Sequence, residues 1–465
     1  MNPNSHRKNF PACEQAGRGA NKDTGQRLHF QKNFRKAQIL FMADYPAGNF
    51  MLRLVLLVAV IFLLCAPPAA RGAGFALVNQ GTAAMAQGNA FVAEADDPSA
   101  IYYNPAGLNQ MQRPTFYTSG FLYYPDREFH GGGLSAEASP KLSETLSAYF
   151  VYPVIPRLSL GLGFFNPFGL SDKWPSTWPG RYLNTYSSLK TYTLNPVASV
   201  KVLDNLSLAA GFDFMWSSVE INRNTQNVVR TKQFPDGESD LKGDGHGWGY
   251  NFGVLYEPLA GVKLGAAYRS PITIKYFGAL DLSEPPPFSR VFPKFNGSAP
   301  LTFPPSLTWG IAYGKFKPFT FEFDTTWTGW SSYDTLKVKL ENSGPLPSVT
   351  STAKNWHDAF AFRFGVNYQL TEAIKLRAGY IYDLTPVPDA TFDPQVPDAN
   401  RHIFTLGGDL TYKSFTLGIA YNYILQEDRD KNNAILFNGV PAPNQANGRY
   451  DTSIQALAMS LAYQF

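Results

Sequence analysis

The chain has 465 residues, 44% hydrophobic and 15% aromatic, with only 16% carrying charge; soluble domains carry about 25% charged residues, so strands with aromatic faces are favoured over a solvated globular surface. The net charge of +4 does not mark a nucleic-acid binder, because ten of the 40 Lys and Arg precede residue 73, and beyond it 30 basic residues meet 33 acidic ones. Cys13 and Cys65 also precede residue 73, which excludes a disulfide framework or cysteine metal site from the remainder.

Residues 1–50 have no hydrophobic period and read as a start-site extension, with the natural start at Met51 or Met42. Residues 51–72 have the anatomy of a secretory signal peptide: basic Met51-Leu52-Arg53, apolar Leu54 to Ala66, then small residues ending at Gly72. Cleavage is expected between Gly72 and Ala73, or else after Ala73. The apolar run of about thirteen residues is short of the about twenty that a transmembrane helix needs, which disfavours a signal anchor. Leu64 before Cys65 disfavours a lipoprotein, whose cleavage site wants a small residue there.

Residues 73–112 are rich in Ala and Gly and lack period-two alternation. Asp97-Pro98 is a good helix start and Asn104-Pro105 an interruption, so this segment reads as short helices and turns compact enough to sit inside a barrel.

From 113 to 465 no stretch offers eighteen consecutive apolar residues, but alternating segments recur to the last residue. In Phe415 to Tyr423 one face is Phe415, Leu417, Ile419, Tyr421 and Tyr423, and the other Thr416, Gly418, Ala420 and Asn422. Such a strand turns its apolar face to lipid and its small polar face to a lumen. About fourteen strands follow, near 115–123, 144–152, 158–168, 190–202, 206–219, 247–256, 262–275, 305–314, 318–329, 356–369, 374–384, 400–412, 414–426 and 451–465. Their connections alternate long and short, the rhythm of an even-stranded antiparallel outer-membrane β-barrel with tight periplasmic turns and long outer loops. A soluble β-sandwich would need polar outer faces.

The mature start Ala73-Gly74-Phe75, Asn104-Pro105-Ala106, Asn166-Pro167-Phe168-Gly169-Leu170, Tyr268-Arg269-Ser270-Pro271 and Thr326 to Tyr333 together resemble the FadL-type long-chain fatty acid transporters, a family that includes outer-membrane toluene and xylene channels. The resemblance implies an all-β transmembrane barrel of fourteen strands plugged by a small N-terminal helical hatch, including Ala73, Gly74, Phe75, Leu77, Asn104 and Pro105. It also implies substrate capture in an apolar groove between outer loops, a pocket touching the N-terminus, and a sideways opening at a kink in the third strand. Here that kink falls on Phe165, Asn166, Pro167 and Gly169, since proline cannot donate a ladder hydrogen bond; the other reading is that Pro167 begins the outer loop. The terminal Phe465 resembles the signal read by the barrel assembly machinery.

The stretch Phe277 to Phe303 places Leu280, Phe288, Val291, Phe292, Phe295 and Phe303 among five prolines. A loop this apolar is costly unless it meets something greasy, and it reads as the capture groove or as a cover for the barrel mouth. The stretch 220–246 is polar by comparison, and Asp240 to Gly247 reads as a flexible Gly-rich loop rather than a cation site. Alternation turns Lys263, Arg269, Arg363, Lys375 and Arg377 to the lumen with Glu322, Asp324 and Asp383, where the cations either pair a fatty carboxylate or form ion networks.

His130, His246, His357 and His402 are dispersed without metal-ligand spacing, and no nucleophile elbow or phosphate loop is present. No catalytic site, metal or cofactor is expected. The reading is a monomeric importer of long-chain fatty acids, set among outer-membrane lipids and lipopolysaccharide. The alternatives are aromatic or aliphatic hydrocarbon uptake, a polar-solute porin, and an adhesin or receptor barrel.

Overall fold

The computed structural model describes residues 74–139, 142–229, 232–286, 294–344 and 346–465; the start-site extension, the signal peptide and Ala73 lie outside them. Strand patterning there follows the side chains. In Tyr186–Leu203 the buried Thr191, Thr193, Asn195 and Ser199 alternate with the exposed Tyr192, Leu194 and Val200. A surface that shows leucine and tyrosine outward and threonine and asparagine inward suits lipid outside and a polar lumen within. No helix of the described residues is long and apolar enough to cross a membrane.

Fourteen spans make the wall among the described residues. They are β1 (Thr115–Gly131), β2 (Ser143–Ile155), β3 (Leu158–Phe165, resuming as Gly169–Lys173), β4 (Tyr186–Leu203), β5 (Leu206–Thr225), β6 (Gly237–Leu259) and β7 (Val262–Arg269, resuming as Ile272–Ser283). There follow β8 (Phe295–Phe303, then Ser306–Tyr313), β9 (Phe319–Thr328, then Thr335–Leu340), β10 (Val349–Ala353, then Ala359–Gln369), β11 (Ile374–Asp383), β12 (Arg401–Tyr412), β13 (Phe415–Gln426) and β14 (Gly448–Gln464). Each pairs antiparallel with the next, and β14 closes on β1 from Thr115↔Gln464 to His130↔Arg449. Closure leaves no edge strand. One end has tight turns, such as Asp204-Asn205 between β4 and β5 and Ala260-Gly261 between β6 and β7, where Gly261 at φ +78° takes a conformation that favours glycine.

Several strands run further outward than expected. Asp240–Gly247 lies within β6 rather than in a flexible loop, and β5 and β6 pair out to Gly237↔Thr225, which shortens the polar 220–246 connection to 226–236. The stretch 277–303 is likewise no continuous loop: Ile272↔Phe303 through Leu280↔Phe295 are paired.

The N-terminal segment packs against inward faces of the strands. It contains α1 (Thr82–Ala86), α2 (Ala100–Tyr103) and a 3₁₀ turn, Pro105–Gln110. The helix expected after Asp97 starts after Ser99, because Asp97 Oδ1 accepts from the Ser99 amide at 2.7 Å. Asn104 ends α2 and caps the next turn. Its Oδ1 accepts from the Ala106 amide, and its Nδ2 donates to Val92 at 2.7 Å and to Val254 of β6 at 2.9 Å. Two wall carboxylates grip the same segment. Asp324 accepts from the amides of Phe91 (2.8 Å) and Val92 (3.0 Å), and Glu322 from those of Ala93 (2.7 Å) and Glu94 (2.9 Å).

Candidate substrate cavity and wall break

Pro167 does not begin an outer loop. The ladder between β3 and β4 stops at Phe165↔Thr193 and resumes at Gly169↔Lys190, so Asn166 to Phe168 interrupt a continuing strand. Asn166 replaces lost backbone bonds with its side chain, donating to the Thr191 carbonyl (2.6 Å) and accepting from the Leu146 amide (3.3 Å). The N-terminal segment fills the gap from inside: Leu77 N donates to Pro167 O at 2.8 Å, and Gly169 N to Phe75 O at 3.0 Å. Pairing of β2 with β3 ends at Ala148↔Phe164, while Gly169–Lys173 pairs with β4. The wall is therefore discontinuous on the β2 side.

Behind this break lies a cavity of about 110 Å³. Tyr102, Phe165, Pro167, Phe168, Ile272 and Phe303 give it an apolar side, and Arg269, Arg363, Asp213 and Asp324 reach it from the wall. Above it Phe75 is buried among rings. Trp330 lies 4.7 Å away centroid to centroid, Trp356 5.5 Å, Tyr333 5.8 Å, and Phe168 and Phe303 6.1 Å. Gly74 fixes the approach of this ring, its amide donating to Asp398 at 3.0 Å and its carbonyl accepting from Arg401 at 3.0 Å.

The five cations point inward but differ in what they meet. Arg377 bonds Asp409 and Gln87, Lys263 bonds Gln110, and Lys375 lies 3.4 Å from Asp96, so these three tie wall to wall or wall to N-terminal segment. Arg269 is saturated, paired with Asp213 at 2.8 Å and donating to the Ile101 (2.9 Å) and Tyr102 (3.1 Å) carbonyls. Arg363 is buried and donates to Thr326 Oγ1 at 2.5 Å, while its Nε has no hydrogen-bond partner. A guanidinium with an unpaired N–H among the residues that line a cavity suits an incoming acceptor once its surroundings shift.

Of the residues expected in a capture loop, Phe288, Val291 and Phe292 lie outside the described residues. Phe303 lines the cavity behind the break, and Phe295 is buried opposite Leu280. Leu280 lines a second cavity of about 80 Å³ near the outer strand ends, with Ile221, Arg223, Leu336, Val338 and Phe437. Tyr102, Ile272, Trp330 and Trp356 were not among the sequence candidates. The Thr326–Tyr333 motif contains Trp330 and the Tyr268–Pro271 motif adjoins Ile272, but no periodicity gives their depth.

An edgeless antiparallel barrel with an apolar face outward and an aromatic cavity behind a broken strand defines a channel of the bacterial outer membrane. The chain belongs to the outer membrane protein transport protein family (OMPP1/FadL/TodX), whose family model matches residues 63–465. It is 26% identical over 359 residues to the long-chain fatty acid transport protein of Escherichia coli O6:H1, covering 68% of this chain and 78% of that one. Outer membrane protein P1 of Haemophilus influenzae is 24% identical over 413 residues, 77% of this chain and 88% of that one. Among solved structures, a Pseudomonas aeruginosa FadL homologue superposes with a TM-score of 0.74 at 21% identity, and the Ralstonia pickettii toluene transporter TbuX with 0.64 at 18%, each covering 84% of this chain and 100% of that one. The resemblance seen in the motifs is thus confirmed. The chain is a transport channel for hydrophobic substrates and not an enzyme.

Proposed function

We propose that this channel imports long-chain fatty acids, held with the carboxylate toward Arg363 and released sideways through the β3 break. The observation that carries the reading is the buried Arg363 guanidinium, with its partnerless Nε, in the lining of the cavity immediately behind that break. Burying roughly ten methylenes yields about 8 kcal/mol at about 0.8 kcal/mol each, partly offset by the cost of association. The cavity's volume of about 110 Å³ is below the roughly 300 to 1,000 Å³ of established ligand sites, so loading requires the N-terminal segment to move. Residues 73–112 act as a hatch, and withdrawal of Phe75 to Leu77 from the gap at Pro167 opens both cavity and wall.

A second reading, uptake of an aromatic hydrocarbon, is favoured by the rings around Phe75 and by the modest cavity. Arg363→Gln separates the two. In cells expressing the variant, labelled oleate uptake is expected to fall about tenfold with toluene uptake unchanged, as loss of one charge-assisted hydrogen bond of about 1.5 kcal/mol implies. Unchanged oleate uptake at equal surface expression refutes the carboxylate role, and no uptake of either compound by the native chain refutes hydrophobic import. The same reading takes the channel as a monomer among lipid and lipopolysaccharide, delivered by the barrel assembly machinery through the strand ending in Phe465. Residues 51–72 serve as its export signal.

A further inference from the structure

The tight-turn end of the barrel faces the periplasm, and the turn from β8 to β9 differs there from its neighbours. Gly314-Lys315-Phe316-Lys317-Pro318 carries two exposed lysines around an exposed ring, Phe316 being 64% accessible. Elsewhere at this end the cations are answered or single: Arg157 pairs with Asp204 at 3.3 Å, Lys375 with Asp96 at 3.4 Å, and Lys413 lies over the Tyr412 ring. Among the described residues neither Lys315 nor Lys317 has an ion-pair partner. The adjoining hairpins each bring one acid to this end, Glu257 and Glu372, and Glu257 Oε1 is held by the Gly261 amide at 2.8 Å.

The turn is fixed on both sides. Gly314 N donates to Gly261 O at 2.8 Å, Phe319 N to Phe316 O at 2.8 Å, and Gln369 N to Pro318 O at 3.0 Å. Lys315 rests its stem on the β6–β7 turn, where a Cβ added to Gly261 would lie 3.1 Å from its Cγ. Next to the lysines the outward face of the wall is aromatic. Glu322 and Asp324 turn inward to the N-terminal segment, so alternation sends Phe319 and Phe321 outward. Phe319 stands opposite Tyr368 of β10, and Phe321 opposite Tyr313 of β8. Phe316 stacks on Phe319 at 6.1 Å, Phe319 on Phe321 at 6.0 Å, and Tyr368 lies 4.9 Å from Phe319. Two unanswered cations therefore cap a ladder of rings that runs from the turn into the lipid belt.

We propose that this corner binds an anionic phospholipid of the periplasmic leaflet, its phosphate held between the Lys315 and Lys317 ammonium groups and an acyl chain laid along Phe316, Phe319, Phe321 and Tyr368. Charge complementarity selects the headgroup: two cations on one fixed turn favour phosphatidylglycerol, which carries net negative charge, over zwitterionic phosphatidylcholine. The rings select a lipid over a soluble phosphate, because a free anion gains nothing from an apolar face. Position selects the leaflet, since lipopolysaccharide lies at the opposite, long-loop end. The site is on the outside of the wall and is independent of which solute the cavity takes.

The test titrates the purified native chain, in neutral dodecyl maltoside micelles, with dioleoyl phosphatidylglycerol and with dioleoyl phosphatidylcholine, and reads retained lipid by native mass spectrometry. Phosphatidylglycerol is expected to be retained at severalfold lower concentration. Lys315→Gln with Lys317→Gln is expected to weaken its binding about twentyfold, roughly fivefold for each cation at an anionic headgroup, and to leave phosphatidylcholine binding unchanged. Lys315→Arg with Lys317→Arg is expected to bind as the native chain does, and β-sheet circular dichroism checks that each variant is folded. Equal retention of the two lipids by the native chain, or native phosphatidylglycerol binding by the folded double glutamine variant, overturns the site. Displacement of the lipid by equimolar glycerol 3-phosphate overturns a phospholipid as the occupant and leaves a plain phosphate site.

Discussion

Asp324 and Glu322 stand two residues apart on one face of β9, and between them they accept four successive amides of the N-terminal segment. Asp324→Ala is expected to leave two buried N–H groups unpaired, at about 1–3 kcal/mol each, and to lower the thermal midpoint of the detergent-folded protein; an unchanged midpoint contradicts that role. Asp97 adds a pH dependence, since burial pushes its carboxyl up to about 6 despite the opposing bonds from Ser99. The folded segment then holds the proton more tightly than the unfolded chain, whose ordinary value is 3.8. Stability from this group is fully present below pH 3.8 and is lost as pH rises through about 6. Amides 82–106, corrected for intrinsic exchange, should therefore be better protected at pH 5 than at pH 7, and Asp97→Asn should reduce the difference. Alternation in the sequence gives each of the five cations a face and not a depth. That Arg363 borders the cavity while Lys263 meets Gln110 depends on contacts with a segment far away in the chain.

The positions of the strands were legible for a simple reason: across the lipid belt every second residue must be apolar, and Phe415 to Tyr423 obeys that rule throughout. Beyond the belt both faces meet polar surroundings and the alternation fades. The outer pairings of β5, β6, β7 and β8 were accordingly read as loops, and the prolines of 277–303 strengthened the misreading. The interruption of β3 was visible as Asn166-Pro167, but its continuation at Gly169–Lys173 rests on pairing with β4, which no local pattern carries. Pro167→Ala supplies the missing ladder donor. Oleate uptake is expected to fall several-fold as the break tightens, and a variant that transports at the native rate would show that the proline itself is not what keeps the wall open.

At the scale of the molecule, wall and N-terminal segment are mutually dependent. The small inward residues that admit the segment, such as Gly265, where an added Cβ would lie 2.1 Å from the Val92 carbonyl oxygen, leave a lumen that side chains of the wall alone do not fill. Gly265→Leu is expected to displace residues 91–94 without unfolding the barrel, seen as protease access to the N-terminal segment with the β-sheet circular dichroism preserved.

The pairing of Thr115 with Gln464 has a consequence for how the protein is made. The first strand of the wall must wait, one edge unpaired, for the last one, and contacts so distant along the chain form slowly. Throughout that delay two raw edges are available to any other unfinished polypeptide. An escort that kept the nascent chain apart from its siblings until the cylinder is sealed would prevent such pairing.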